Sequence, residues 1–262
     1  MHSEETKKLL ADCANARASI EFKQGIAVGK RLNPSKGLYL ENYANCLINR
    51  QVEIYEDTIF LLNNGKIHSA CTISRGMIET YAFAKYLAKE VEKKLNSNRG
   101  IIGADEALKL VISFTNSSRF KQNEQKKLDK GVFNPENYHF TEETKIRFAN
   151  GLASSIHVMN ALRDLYDDQI KYTKEKESSF ELMYDYLSEW VHPSQTSIFH
   201  HYTPETHIIP TSRGEVLLHE QAYDICVNAL HFLTDSVNIY NWTIGLANEI
   251  SKRHNALEKP KP

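Results

Sequence analysis

"LYLENYANCLINRQVEIYEDTIFLLNNGK", residues 38–66, decides the fold class. Tyr39, Tyr43, Leu47, Val52, Tyr55, Ile59 and Leu62 recur at the spacing of one helical face, so the stretch reads as a long amphipathic helix turned toward a core. "NNGK" ends it, with Gly65 suited to the left-handed conformation that closes a helix. The sharp reversal sets the next helix, about Ile67 to Leu95, antiparallel to the first.

The same periodicity extends in both directions. A preceding helix is expected from about Ser3 to Lys30, with Ser3 as N-cap and "RLNPSKG" as its break. Downstream, a helix near Asp105 to Leu128 turns polar at "KQNEQKKLDK". Another starts at Thr141 and runs through Phe148, Leu152, Ile156, Met159, Leu162 and Leu165 to about Ile170. A sixth covers Lys174 to His192, where Pro193 stops it, and a long last helix runs from about Glu220 to Arg253.

Only "SIFHHYTPETHIIPTSRGEVLLHE" reads as extended, with "IIPTSRGEVLL" resembling a short hairpin. Pro and Gly, at 7 and 11, are too sparse for a large β architecture. The expectation is an all-α helical bundle of about seven helices with a small β-hairpin-like insertion before the last helix. Residues 1–255 form one helical domain and 256–262 a flexible tail.

Hydrophobic residues make up 41% of the 262 and charged residues 25%, which excludes wholesale disorder. No uncharged apolar run approaches the roughly 18 residues of a membrane span, and "MHSEETKKLLADC" is too polar for a signal peptide core. A cytoplasmic location with no membrane partner is therefore expected. Cys13, Cys46, Cys71 and Cys226 are widely spaced and read as reduced, mostly buried thiols. The net charge of -1 marks no polyanion magnet, although residues 85–130 hold eleven Lys or Arg against six Asp or Glu.

In "IHSACTISRGMIETYAFA", residues 67–84, Arg75 and Glu79 are the only formally charged residues. A helix so poor in charge is buried on most sides, so Arg75 must find a carboxylate, and Glu79 at i+4 is in reach. His68, Arg75, Glu79 and Tyr86 share one stripe. Two readings follow: a buried pair that fixes helix packing, or a pocket whose guanidinium binds an anion while Glu79 holds it.

A second polar line, Tyr184, Ser188 and His192, runs along the sixth helix beside the core set Phe180, Met183, Leu187 and Trp190. His192 stands at the helix C-terminus, where unpaired carbonyls favour a cation. Serine nucleophilic catalysis is a poor match, because a helical Ser188 lacks an orienting carboxylate and an oxyanion hole. His192, His200, His201, His207 and His219 gather in sequence but show no recurrent ligand spacing, so no metal and no cofactor is expected.

"SRGMIETYAFAKYL" (74–87) and "YDYLSEWVHPS" (184–194) together resemble a bacterial family known only as domain of unknown function 5677. Its Arg-x-x-x-Glu helix and its Tyr-rich Ser-x-x-x-His-Pro-Ser helix end match Arg75 with Glu79, and Ser188 with His192, Pro193 and Ser194. The resemblance spans about residues 40–245. It implies an all-helical fold and a looser kinship to HEPN-like helical domains, in which an Arg and a His on one helix cut RNA without metal, usually across a homodimer.

This chain departs from that arrangement: Leu187 stands five residues before His192, and the Arg213 and His219 spacing falls in the hairpin reading. What the resemblance implies is a HEPN-like effector, a metal-independent ribonuclease or RNA- or nucleotide-binding protein of bacterial antiphage defence or stress response, forming a homo-oligomer. Its catalytic residues would be Arg75, Glu79, Ser188 and His192, with His192 as general acid or base and Arg75 stabilising the phosphorane. The alternative is a non-catalytic helical interaction or ligand-sensing module with a protein partner, in which the same residues lock helices together.

Overall fold

The structure is a computed structural model and describes residues 4–18, 20–24, 37–115, 157–199 and 212–256. Its elements among these residues are all helices: α1 (Glu4–Arg17), α2 (Gly37–Asn63), α3 (Ile67–Ser97), α4 (Gly100–Thr115), α5 (Val158–Thr173), α6 (Ser179–Val191), α7 (Gln195–Phe199), α8 (Ser212–Leu230) and α9 (Phe232–Asn255). The all-α expectation holds. The hairpin does not, because 212–218 form the first turns of α8. "EVLLHE" continues in helical step to the buried Ala222, Tyr223 and Cys226. The rest of the segment read as extended, from His200 to Thr211, lies outside the described residues, as do Thr141, Phe148, Leu152, Ile156, all of "KQNEQKKLDK" and the tail from Leu257.

Several boundaries differ from those the sequence suggests. α1 ends at Arg17, well before Lys30, and residues 20–24 are irregular. The last helix is divided at His231, which leaves α8 and α9 in place of one rod. In α2 the buried row is Leu40, Ala44, Ile48, Val52, Tyr55 and Leu62, so in the first turns it lies one residue later than the Tyr39-Tyr43-Leu47 reading. Tyr39 is exposed. Gly65 adopts the expected left-handed conformation with φ 65°, and Lys66 N–H returns to the Leu61 carbonyl at 2.9 Å to close α2.

The chain divides into two compact units. The first comprises residues 1–25, 45–84 and 162–240. Its core holds Tyr55, Met77, Ile78, Leu162, Leu165, Leu187, Trp190, Leu230 and Leu233. Burying each such side chain stabilises by about 1.5–3 kcal/mol. α1 is tied to α2 by Arg17 Nε to Glu56 Oε1 at 2.7 Å and to α8 by Thr6 Oγ1 to Asp224 Oδ1 at 2.9 Å. α2 meets α3 through Gln51 Nε2 to the Met77 carbonyl (3.3 Å) and Arg50 Nε to Thr80 Oγ1 (3.2 Å).

The second unit comprises residues 26–44, 85–161 and 241–262. Leu87, Ala88, Val91, Ala104, Ala107, Val111, Phe114, Ala247 and Ile250 are its buried apolar set. Arg253 closes the end of α3: its Nη1 donates to the carbonyls of Leu95 (2.8 Å) and Asn98 (3.1 Å), and its Nε pairs with Glu249 at 2.7 Å. A cation at exposed helix-end carbonyls is the arrangement that the helix dipole favours.

Candidate functional site at Arg75 and the end of helix α6

α6 begins where Ser178 accepts the Glu181 N–H at 3.3 Å. Gln169 of α5 braces this start, its Oε1 taking the Phe180 N–H at 3.1 Å and the Ser178 hydroxyl. The α5–α6 connection is thus built from side-chain caps, which fixes the azimuth of α6.

Held this way, α6 turns Tyr184 onto α3. Arg75 Nη2 donates to the Tyr184 hydroxyl at 2.7 Å, that hydroxyl donates to Glu79 Oε1 at 2.9 Å, and Arg75 Nε donates to the same oxygen at 3.1 Å. The guanidinium carbon also lies 4.8 Å from the Tyr184 ring centroid. The Arg75 side chain retains 13% of its accessible surface and Glu79 29%. The three groups close a triangle in which each polar atom named has a partner, so the charges are partly buried without the penalty of being unpaired.

Burial pushes the Tyr184 phenol above its ordinary value, the Glu79 carboxylate adds to that, and Arg75 opposes it. Tyr166 of α5 is raised foremost by burial and then by Tyr184, Asp185 and Glu181, with Arg75 again opposing. Arg75 is thus paired with Glu79 and Tyr184, and the acids Asp185 and Glu181 of α6 act on Tyr166.

Where do Ser188 and His192 fall? A second contact sets the register: His68 of α3 packs edge-on against Trp190 of α6, centroids 5.8 Å apart. Seven residues back along α3 correspond to six forward along α6, so the two helices run antiparallel. His192 is then level with the start of α3, about 12 Å along the axis from Tyr184. The structure joins Arg75 to Glu79 and sets His192 two turns away.

Ser188 lies between them, and its hydroxyl donates to the Tyr184 carbonyl at 2.7 Å within its own helix. His192 is exposed and forms the C-cap in extended conformation (φ -98°, ψ 155°). Its carbonyl accepts the Ser194 N–H at 2.7 Å and the Ser197 hydroxyl. Ser194 in turn donates to the Glu189 carbonyl (2.8 Å) and accepts the Ser197 N–H (3.2 Å), capping α7. "HPS" is thus a corner between α6 and α7.

The residue that the polar-stripe reading undervalued is Tyr184, which is buried and joins both charges. Its signal was present, since a tyrosine one turn before Ser188 on a helix with core neighbours needs a partner for its hydroxyl. Among the described residues no group of three or more His, Cys, Asp or Glu could hold a metal ion, and no helix is long and apolar enough to cross a membrane.

The fold and this geometry define a class: an all-helical protein whose third and sixth helices are clamped by an Arg–Glu–Tyr triangle. Residues 41–207 match the model of the Family of unknown function (DUF5677), and the chain belongs to that family. No curated protein and no solved structure matches the chain.

Proposed function

We propose that the chain is a non-catalytic helical interaction module in which Arg75, Glu79 and Tyr184 act as a packing clamp between α3 and α6. The observation that carries this is the closed triangle: Arg75 Nε and Nη2 are already engaged by Glu79 and Tyr184. A guanidinium that stabilises a phosphorane must instead point at the phosphate and be close to the acid or base. His192 stands two turns off at a helix end. On this reading the motif shared with the family encodes a rigid helix pair and a corner, and the activity of the chain lies in what its surfaces bind.

The experiment is RNA cleavage in EDTA by wild type, Arg75→Lys and His192→Ala, each checked for helical circular dichroism. The module reading expects no cleavage above buffer from any of them. Cleavage by wild type that survives chelation and is lost in both folded variants would overturn it in favour of the HEPN-like, metal-independent ribonuclease, with Arg75 and His192 in one active site.

A further inference from the structure

After α1, residues 20–24 are irregular and are held by side chains of the first unit. Asn49 of α2 reads both backbone groups of one residue: its Oδ1 accepts the Lys23 N–H at 2.7 Å and its Nδ2 donates to the Lys23 carbonyl at 2.8 Å. One helical turn earlier, Asn45 Nδ2 donates to the Gln24 carbonyl at 3.0 Å. Tyr240 fixes the orientation of that amide, its hydroxyl donating to Asn45 Oδ1 at 2.9 Å. The Lys23 ammonium sits over the Tyr240 ring, 5.6 Å from the centroid.

Asn45 is buried, a costly position for an amide unless its donors and acceptor are met. Here they are met by Tyr240 and by another segment's backbone. The primary amide of Asn49 supplies the donor and acceptor pair that a neighbouring strand would supply, so what is recognised is extended main chain. The side chain that enters the site is the Lys23 cation over the aromatic face of Tyr240, while Arg17 of α1 also touches the segment, its Nη1 on the Ile20 carbonyl and its guanidinium over the Phe22 ring. Glu21, Phe22 and Gln24 are exposed, so little apolar burial holds the segment in place. A segment held by a few hydrogen bonds with little burial opens at low free-energy cost.

We infer that Asn45, Asn49 and Tyr240 form a binding site for an extended peptide bearing one Lys or Arg, occupied in this chain by its own residues 20–24. The partner that fits is a protein segment in extended conformation with that cation, which gains access when the resident segment lifts away. This deepens the interaction-module reading by naming a partner's chemistry, and because its test does not involve Arg75 or His192 either can fail alone. Asn45 and Asn49 lie within the family match, whereas residues 20–24 precede it.

The test uses the full chain and a synthetic peptide of residues 18–25. In Lys23→Pro the resident segment loses the N–H that Asn49 accepts while the site itself is unchanged. The peptide should bind this variant at least about tenfold tighter than wild type, because the tethered segment competes at high effective concentration. Adding Asn49→Ala to Lys23→Pro should weaken binding about tenfold, as should N-methylation of the peptide's lysine nitrogen.

Hydrogen exchange on wild type gives a second readout that needs no variant: saturating peptide should deprotect the chain's own Lys23 amide. Equal affinity for the N-methylated peptide, no binding to a folded Lys23→Pro chain, or an unchanged Lys23 amide under excess peptide would each overturn the inference and leave residues 20–24 as a fixed tether.

Discussion

Arg75 and Tyr184 meet in two ways at once: Nη2 lies 2.7 Å from the hydroxyl, and the guanidinium carbon lies 4.8 Å from the ring centroid. The first contact depends on the hydroxyl and the second only on the ring. Tyr184→Phe therefore separates them, keeping the stacked cation and removing the atom that bridges it to Glu79. The expected loss is about 1–3 kcal/mol in urea unfolding, with Glu79→Gln comparable. The double variant should lose less than the sum, a coupling of at least about 0.5 kcal/mol, since both act on one triangle. Simple additivity would show that the bridge does not stabilise the helix pair.

Ser178 offers a prediction on the element that aims Tyr184. It is fully buried, caps α6 through the Glu181 N–H, and its hydroxyl is given to Gln169. Ser178→Ala should cost about 0.5–2 kcal/mol, the usual range for a lost N-cap. Gln169→Ala should cost a similar amount and be non-additive with it. Unfolding midpoints that match wild type in both variants would mean that α6 is aimed by packing alone.

How much of this was legible in the sequence follows from range. α2 and α3 were readable because each states its own period and its own stop, down to Gly65. Arg75 with Glu79 was readable for the same reason, being four residues apart on one helix. Tyr184 as the third member was not, because it is 109 residues from Arg75 and nothing local fixes the register of α6 on α3. The polar row from Tyr184 to His192 suggested one shared pocket, but a row along a helix rises about 6 Å per turn, which separates its ends. The hairpin reading of 208–218 gave way in 212–218 to helix, because the segment runs on in helical step to the buried Ala222, Tyr223 and Cys226, a period that a short stretch does not reveal.

Within the second unit, Gly37 has a strict steric role. A Cβ there would run into the backbone carbonyl of Ala247 and the Ser251 hydroxyl. Backbone cannot rotate aside as a side chain can, so Gly37→Ala should destabilise by about 1–3 kcal/mol despite the better helix propensity of alanine. A gain in melting temperature would show instead that α2 and α9 separate freely at this point.

High pH should expose the buried tyrosines. Burial foremost, with Asp235 and Asp168 adding, pushes the Tyr81 phenol up to about 12, and burial likewise raises Tyr186 to about 12. A raised folded value means that the unfolded chain ionises first. The contribution is therefore fully present below the ordinary tyrosine range and is lost as pH rises through it toward about 12. Melting temperature should fall over that interval, with each tyrosine contributing a slope of at most about 1.4 kcal/mol per pH unit. Tyr81→Phe should flatten the fall. An identical alkaline profile in that variant would assign the loss to other groups.

The thiols give a prediction about access. Cys71 and Cys226 are fully buried with sulfurs 3.6 Å apart, Cys13 is buried, and Cys46 is exposed. The hydrogen bond from Cys226, followed by burial, holds the Cys71 thiol far above its ordinary value, and burial raises Cys13. Because the thiolate is the nucleophile, proximity of two sulfurs does not make them reactive when the Cys71 proton is held and no reagent reaches either sulfur. Titration of the native chain with an aromatic disulfide reagent should give one fast equivalent, from Cys46. The other three should react only at the rate of opening or after denaturant. Cys46→Ser should remove the fast phase and leave the slow ones unchanged. A second fast equivalent in native buffer that Cys13→Ser does not remove would show that α3 and α8 part readily around Cys71 and Cys226.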